Sequence, residues 1–176
     1  IKNPRIYYGE NTKNFVVVNS NTAEFDYPTE GASGIYNHYK GNGGVALNSV
    51  VTKAAYALQM ADVNLFISNE ITNESRIQYR REIRDRVKTI APFLLLDADP
   101  YLVVAGDGLY WMQDAYTYTD RYPYSEPYQD SFNYVRNSVK IVVDAYNGSV
   151  AFYIFDDADP LIKMYQQVFP KLFKPA

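Results

Sequence analysis

Short runs of apolar and β-branched residues occur towards both ends of the chain, and this pattern predicts strands there. Two runs near the amino terminus, at 5–8 and 14–18, are separated by a turn-rich spacer that suits a hairpin. Five more strands are predicted in the second half, at 93–96, 101–105, 109–117, 134–146 and 149–155. Gly106-Asp107-Gly108 predicts one tight connection, and Asn147-Gly148 predicts a type I′ hairpin.

The middle of the chain shows the three- and four-residue spacing of helices. The first helix is predicted to face the core with a stripe of seven apolar residues, Leu47, Val50, Val51, Ala54, Ala55, Leu58 and Ala61. A second helix is predicted from an N-cap at Thr72 to Pro92, and a short last helix over 160–168. This order predicts an α+β fold with a mostly antiparallel sheet, two main helices in the middle and a short C-terminal helix.

A glycine-rich stretch, Gly31 to Gly44, is predicted to be mostly loop. A G-x-G-x-x-A motif begins within this stretch and leads into the first predicted helix. It is Gly41-Asn42-Gly43-Gly44-Val45-Ala46. The preceding residues make a poor buried strand, so we interpret the motif as a tight turn rather than a nucleotide site.

Composition fits one soluble domain over residues 1–176, with 47% hydrophobic residues and a formal charge of −3. The chain has no Cys and a single His, His38, which excludes disulfides, thiolate nucleophiles and two-histidine metal sites. No cofactor is predicted. Carboxylates remain as catalytic candidates, and convergence of Asp114, Asp144 or Asp120 would indicate a hydrolase or a metal-dependent enzyme. For Asp144, just before Asn147-Gly148, bonding to turn amides is the favoured interpretation.

Basic residues recur every four positions in the second predicted helix, at Arg76, Arg80, Arg84 and Lys88. Such a stripe could meet phosphates, lipid headgroups or an acidic partner. A solvated helix face is the favoured interpretation.

Aromatic residues crowd the window from Tyr101 to Tyr134, which holds eight tyrosines. On a strand, Tyr110, Met112, Asp114, Tyr116 and Tyr118 share one face, opposite Trp111, Gln113, Ala115 and Thr117. A polar-tipped aromatic face suits binding of a protein, peptide or glycan, whereas half-exposed packing is the alternative. The candidate binding residues are Tyr116, Tyr118, Tyr122, Tyr124, Asp114, Asp144, Arg76, Arg80 and Arg84.

Segments along nearly the entire chain, among them DAYTYTDRYPYS at 114–125 and NYVRNSVKIVVDAYNG at 133–148, resemble uncharacterised protein family 0182. The resemblance implies part of the soluble, extracytoplasmic portion of a large bacterial protein with several membrane spans. It carries over no activity and no catalytic residues. VVDAYNGSV at 142–150, in the last predicted hairpin, is also similar to the strand-turn-strand of PepSY-type propeptide domains, which bind or inhibit peptidases.

The favoured hypothesis is therefore a non-enzymatic, extracytoplasmic domain of a cell-membrane protein that binds a protein, peptide or glycan through a tyrosine-rich sheet surface. The parent protein's spans supply the membrane contact, and no nucleic-acid partner is expected. The alternatives are a carboxylate- or metal-dependent hydrolase and a PepSY-like, peptidase-interacting module.

Overall fold

A computed structural model describes residues 4–29 and 34–176, which form four helices and eleven strands. Most strand pairs are antiparallel, so the predicted α+β class is confirmed. The chain divides into two compact units, here named the middle unit (13–80) and the sheet unit (1–12 and 81–176). The single domain over 1–176 stays a prediction.

The middle unit contains five short strands and two helices. They are β1 (Val16–Val18), β2 (Glu24–Tyr27), β3 (Ile35–Asn37), β4 (Val45–Ala46), α1 (Val50–Met60), α2 (Asn64–Ile67) and β5 (Arg76–Gln78). Strands β1, β5 and β4 form one antiparallel sheet, and β2 pairs with β3. Leu47, Leu65 and Ile77 form the unit's buried core.

Helix α1 begins at Val50, three residues after the first residue of the predicted stripe, because the Ser49 hydroxyl caps it by accepting a hydrogen bond from the Thr52 amide. The predicted orientation of its stripe is wrong. Tyr56, Ala57 and Met60 pack on the core, whereas Val51 and Leu58 are exposed. Both the inner and the outer side of this helix carry apolar residues, so the spacing alone does not distinguish them.

The predicted second helix over 72–92 is wrong in its first half. Thr72 closes a turn with Ser75, and residues 76–78 form β5, in which Ile77 is fully buried. Arg80 has a positive φ of 48°, which a continuous helix does not allow.

The sheet unit contains the rest of the elements. They are α3 (Ile83–Ile90), β6 (Leu95–Leu96), β7 (Tyr101–Ala105), β8 (Gly108–Thr119), β9 (Tyr134–Asp144), β10 (Val150–Ile154), α4 (Pro160–Val168) and β11 (Phe173–Pro175). The strand order is β11-β10-β9-β8-β6, and β7 also pairs with β8. Only β11 runs parallel to its neighbour among the pairs of this sheet that the structure describes.

One face of this sheet is buried with Ile83 and Val87 of α3 and Ile162 of α4. Glu82 caps α3 by accepting hydrogen bonds from the amides of Arg84 (3.1 Å) and Asp85 (2.6 Å). Asp159 caps α4, and Pro160 lies in the first turn of this helix, as the sequence predicts.

The amino-terminal segment does not form the predicted hairpin of 5–8 with 14–18. Instead, the amides of Tyr7 and Tyr8 donate to the Ala145 carbonyl at 2.8 and 2.9 Å, within the sheet unit. The Val16–Val18 strand pairs with β5 in the middle unit.

The β9–β10 hairpin is present, but its turn is not type I′. That type needs positive φ at both central residues, and in this turn only Gly148 has it, with φ 70°. The Asp144 carboxylate accepts hydrogen bonds from the Tyr146 and Asn147 amides and so holds a longer turn. A Cβ atom at Gly148 would lie 2.5 Å from the Tyr8 ring, so this position also needs glycine for space.

No helix in the described ranges, 4–29 and 34–176, is long and apolar enough to cross a membrane.

Candidate functional site

Side chains of β8 alternate strictly between the two faces of the sheet. Leu109, Trp111, Gln113, Ala115 and Thr117 are buried, and the residues between them are half-buried or exposed. This confirms the division of faces that the sequence predicts. Only the buried face belongs to the core, so the other face is the candidate binding surface.

The half-open face is completed by neighbouring strands. Residues directly opposite one another in the ladder point the same way, so Tyr101 of β7 lies beside Met112, and Lys140 of β9 lies beside Asp114. Tyr153 of β10 lies beside Lys140 in turn. We name this surface the tyrosine face and define it by Tyr101, Tyr110, Met112, Asp114, Tyr116, Lys140 and Tyr153.

An ion pair lies within the tyrosine face. Lys140 Nζ lies 2.7 Å from Asp114 Oδ1, and the same ammonium group is 5.3 Å from the centre of the Phe155 ring. Asn137 Nδ2 donates to Asp114 Oδ2 at 3.4 Å. Because the pair is neutral overall, the face offers aromatic area and hydrogen-bonding groups without a strong field of one sign.

Tyr116 keeps its proton at neutral pH. Burial raises the pKa of its phenol, and the negative charges of Asp97 and Asp114 raise that pKa further. Its hydroxyl donates to Asp97 Oδ2 at 3.4 Å. The residue therefore acts as a neutral hydrogen-bonding aromatic group.

The carboxylates proposed for catalysis do not converge. Asp114 is opposite Lys140 and Asp144 is opposite Tyr110, so four residues of β9, about 13 Å at the usual strand rise, separate them. Asp144 bonds the turn amides, as the favoured interpretation of the sequence has it. Asp120 pairs only loosely with its neighbour Arg121, at 3.7 Å on the surface. No group of three or more His, Cys, Asp or Glu able to hold a metal is found in the part of the chain that the structure describes.

The remaining candidate tyrosines are all outside the core. Tyr118 and Tyr122 are exposed, and Tyr124 is fully exposed with a positive φ of 60°. The ring of Tyr122 stacks on that of Tyr134, with centroids 4.7 Å apart. Asn133 fixes the loop between β8 and β9, because its amide group bonds both the amide and the carbonyl of Tyr122.

The predicted basic stripe is not formed. Arg76 lies on a strand, Arg80 lies in the link after it, and Arg84 and Lys88 lie on α3. The three arginines of the predicted site therefore do not lie on one face of a helix. The lipid-binding interpretation required that common face, so the structure does not support it.

Arg76 holds the glycine loop in place. Its guanidinium donates to the carbonyls of Asn42, Gly43 and Gly44 at 2.8–2.9 Å. The Gly43 amide donates to the Tyr39 hydroxyl at 2.7 Å, and Gly44 has φ 77° close against the Ile77 carbonyl. The motif is a tight turn whose polar groups bond within the protein, as the sequence interpretation favoured. Its last two residues, Val45 and Ala46, form β4, and helix α1 begins only at Val50. Gly31, at the start of the predicted loop, lies outside the described residues, and Ile35–Asn37 forms β3.

One buried group was missed by the sequence reasoning. The Asp159 carboxylate, fully buried, accepts hydrogen bonds from the hydroxyls of Thr117 (2.5 Å), Ser138 (2.5 Å) and Tyr134 (2.7 Å) and from the Leu161 amide (3.0 Å). Burial raises the pKa of Asp159, but the hydrogen bonds from Ser138, Thr117 and Tyr134 outweigh it and hold that pKa below its ordinary value. The Asp-Pro pair before a helix signals the cap, but nothing in the sequence indicates the hydroxyl partners.

The fold and this surface define an α+β protein with a half-open, tyrosine-bearing sheet face. Comparison with known proteins then gives the family. A model of the uncharacterised protein family UPF0182 matches residues 1–176, and the chain belongs to that family. No solved structure matches it.

Relatives in several bacteria are similar over nearly the whole chain. UPF0182 proteins of Pelotomaculum thermopropionicum, Moorella thermoacetica and Synechococcus elongatus are 49%, 51% and 48% identical to it. Each alignment covers 99% of this chain but only 19% of the relative. The chain thus spans about a fifth of the length of these proteins.

Proposed function

We propose that this chain is an extracytoplasmic part of a longer bacterial membrane protein and that it binds a polypeptide through the tyrosine face and the adjoining edge strand β7. The family has no assigned activity in its name, so the proposal rests on the surface itself. We propose a protein or peptide as the ligand, and the experiment below distinguishes it from a glycan.

We choose a polypeptide as the ligand because strand β7 lies at an edge of the sheet. Among the described residues, β7 pairs with β8 alone, so its other side offers unpaired backbone groups. Tyr101, Leu102 and Val104 on it are 50%, 41% and 58% exposed. Four of the five residues of β7 are exposed, and such an edge is a template for adding a strand, a common mode of peptide recognition.

The tyrosine face adds the side-chain contacts that such a strand needs. Tyrosines give large contact area at small entropic cost, and the neutral Asp114–Lys140 pair supplies polar contacts of both signs. Phosphate-rich ligands are disfavoured because this face has no surplus of positive charge.

Photocrosslinking in living cells tests the binding surface. The photoreactive residue p-benzoylphenylalanine is placed at Tyr101 in the full-length protein, or at Met164 on α4 as a control of similar exposure (45%). We expect at least about fivefold more adduct at Tyr101, with a polypeptide attached, and loss of that adduct in Val104→Lys, which puts a charge on the edge. Equal adduct at both positions, or attached carbohydrate, overturns the proposal.

Cysteine labelling tests the location. The chain has no Cys, so Glu126→Cys in the exposed loop after β8 is a unique target once cysteines elsewhere in the polypeptide are replaced. We expect labelling of spheroplasts by a membrane-impermeant maleimide, with the protein lacking Glu126→Cys as control. Labelling only after lysis contradicts an extracytoplasmic position.

A further inference from the structure

An uncovered apolar surface lies on the outer side of helix α1. Val50, Val51, Ala54, Ala55 and Leu58 occupy about 140° of its circumference at 100° per residue. Leu58 is 84% exposed, Val51 78% and Val50 69%. We name these five residues the outer apolar face.

The same side of the helix is free of charge. Lys53 is the single charged residue of α1, and its ammonium group donates to the Ile71 carbonyl of the same unit at 3.0 Å. At the following corner, the Asp62 carboxylate accepts a hydrogen bond from the Asn64 amide. No ionic group of α1 is therefore placed to keep the outer apolar face in water.

Short helix α2 and the residue before it also carry exposed apolar side chains. Phe66 and Ile67 on it are 46% and 62% exposed, and Val63 before it is 63% exposed. Soluble monomers rarely leave large contiguous apolar patches uncovered, and such patches mark contact surfaces.

A lipid surface fits this face poorly. Helices that lie in a membrane interface carry Lys and Arg along their polar side, whereas the one Lys of α1 is bonded to the protein's own backbone. The length of the relatives points to another occupant, because about four-fifths of each lies beyond the region matched by this chain.

We infer that the outer apolar face is covered by an apolar segment from the remaining part of the same polypeptide. The small side chains of Ala54 and Ala55, midway along its length, allow close approach of a helix or a strand. The inference rests on the chain being part of a longer protein, as proposed above, but not on the tyrosine face.

Paired cysteine variants test it. Leu58→Cys probes the face, and Gln59→Cys, exposed and 100° further round the same turn, is the matched control. Each is made in the 176-residue chain and in the full-length protein, purified in detergent, with other cysteines replaced. We expect maleimide to label both positions at rates within about twofold in the 176-residue chain. In the full-length protein we expect Leu58→Cys to react at least about tenfold more slowly than Gln59→Cys. Circular dichroism confirms that each variant is folded.

Other occupants give different results. Equal rates in the full-length protein overturn the inference. Protection in the 176-residue chain that grows with protein concentration indicates a second copy, and protection in vesicles that disappears in detergent indicates lipid; either also overturns it. A photocrosslink from position 58 to a peptide of the same polypeptide outside the 176 residues supports it. Failure of the Tyr101 crosslink leaves these results unchanged, so the two proposals fail separately.

Discussion

Strand β8 and helix α1 are both rich in apolar residues, yet the sequence indicates which side is buried only for β8. On β8, apolar or small residues at Trp111 and Ala115 alternate with tyrosines and Asp114, and burial follows that alternation. On α1, the inward Tyr56 and Met60 are no more apolar than the outward Val51 and Leu58. A periodic pattern locates an element, but assigning its buried side needs a contrast between the two sides.

From this comparison we expect the largest loss in the free energy of unfolding for a substitution on the buried face of the sheet. Phe152→Ala on β10 removes a side chain that is 1% exposed and should lower the free energy of unfolding by about 3–5 kcal/mol. Chemical denaturation measures this. The control is Tyr153→Ala, the next residue, whose side chain is half-buried on the tyrosine face and should cost clearly less. Equal losses would mean that the two faces are packed alike.

The second prediction concerns the buried carboxylate on the same side. Asp159→Asn removes the charge that three hydroxyls and one amide stabilise, so we expect a loss of about 2 kcal/mol at pH 7. Thermal and urea unfolding give the value. Asp157→Asn, two residues before it and exposed, is the control and should change stability by less than about 0.5 kcal/mol.

The pH dependence of Asp159→Asn has a definite sign. Because the folded-state pKa of Asp159 lies below the unfolded value of about 3.9, its stabilising contribution is complete above that value and is lost as pH falls through the folded pKa. The difference in stability between the natural protein and the variant should therefore be largest at neutral pH and shrink in acid. A difference that stays constant down to pH 2 contradicts the role given to the charge.

The sheet unit shows which features the sequence can predict and which it cannot. Strands β6 to β10, the position of Pro160 in the first turn of α4 and the turn-bonding role of Asp144 depend on neighbouring residues, and these were predicted, whereas β11 was not. The cluster around Asp159 joins β8, β9 and α4, and a register shift between Ala115 and Thr117 helps to place its hydroxyls. Such long-range register is not encoded in local spacing. Likewise, Ile77 becomes a strand residue through its pairing with β1 and β4, against the helical spacing of its neighbours.

The third prediction moves to the half-open side of the sheet. Asp114 and Lys140 side chains are 21% and 24% exposed, so Asp114→Asn should cost about 1 kcal/mol, less than Asp159→Asn. Lys140→Met is the companion variant, since it keeps most of the contact with Phe155 while removing the charge. Added salt should weaken the Asp114–Lys140 contribution, and a loss that is larger than at Asp159 would contradict the division of faces.

The smallest effect is predicted on the outer side of α1. In the 176-residue chain, Leu58→Gln should change the free energy of unfolding by less than about 0.5 kcal/mol, because the side chain is 84% exposed. Tyr56→Ala, two residues earlier on the inward side, should cost several times more, since its ring packs on the core and lies 5.6 Å from the Tyr79 ring. Urea denaturation of both variants decides the matter. If Leu58→Gln costs as much as Tyr56→Ala, the outer apolar face is already buried within this chain, and no further segment is needed to explain its apolar residues.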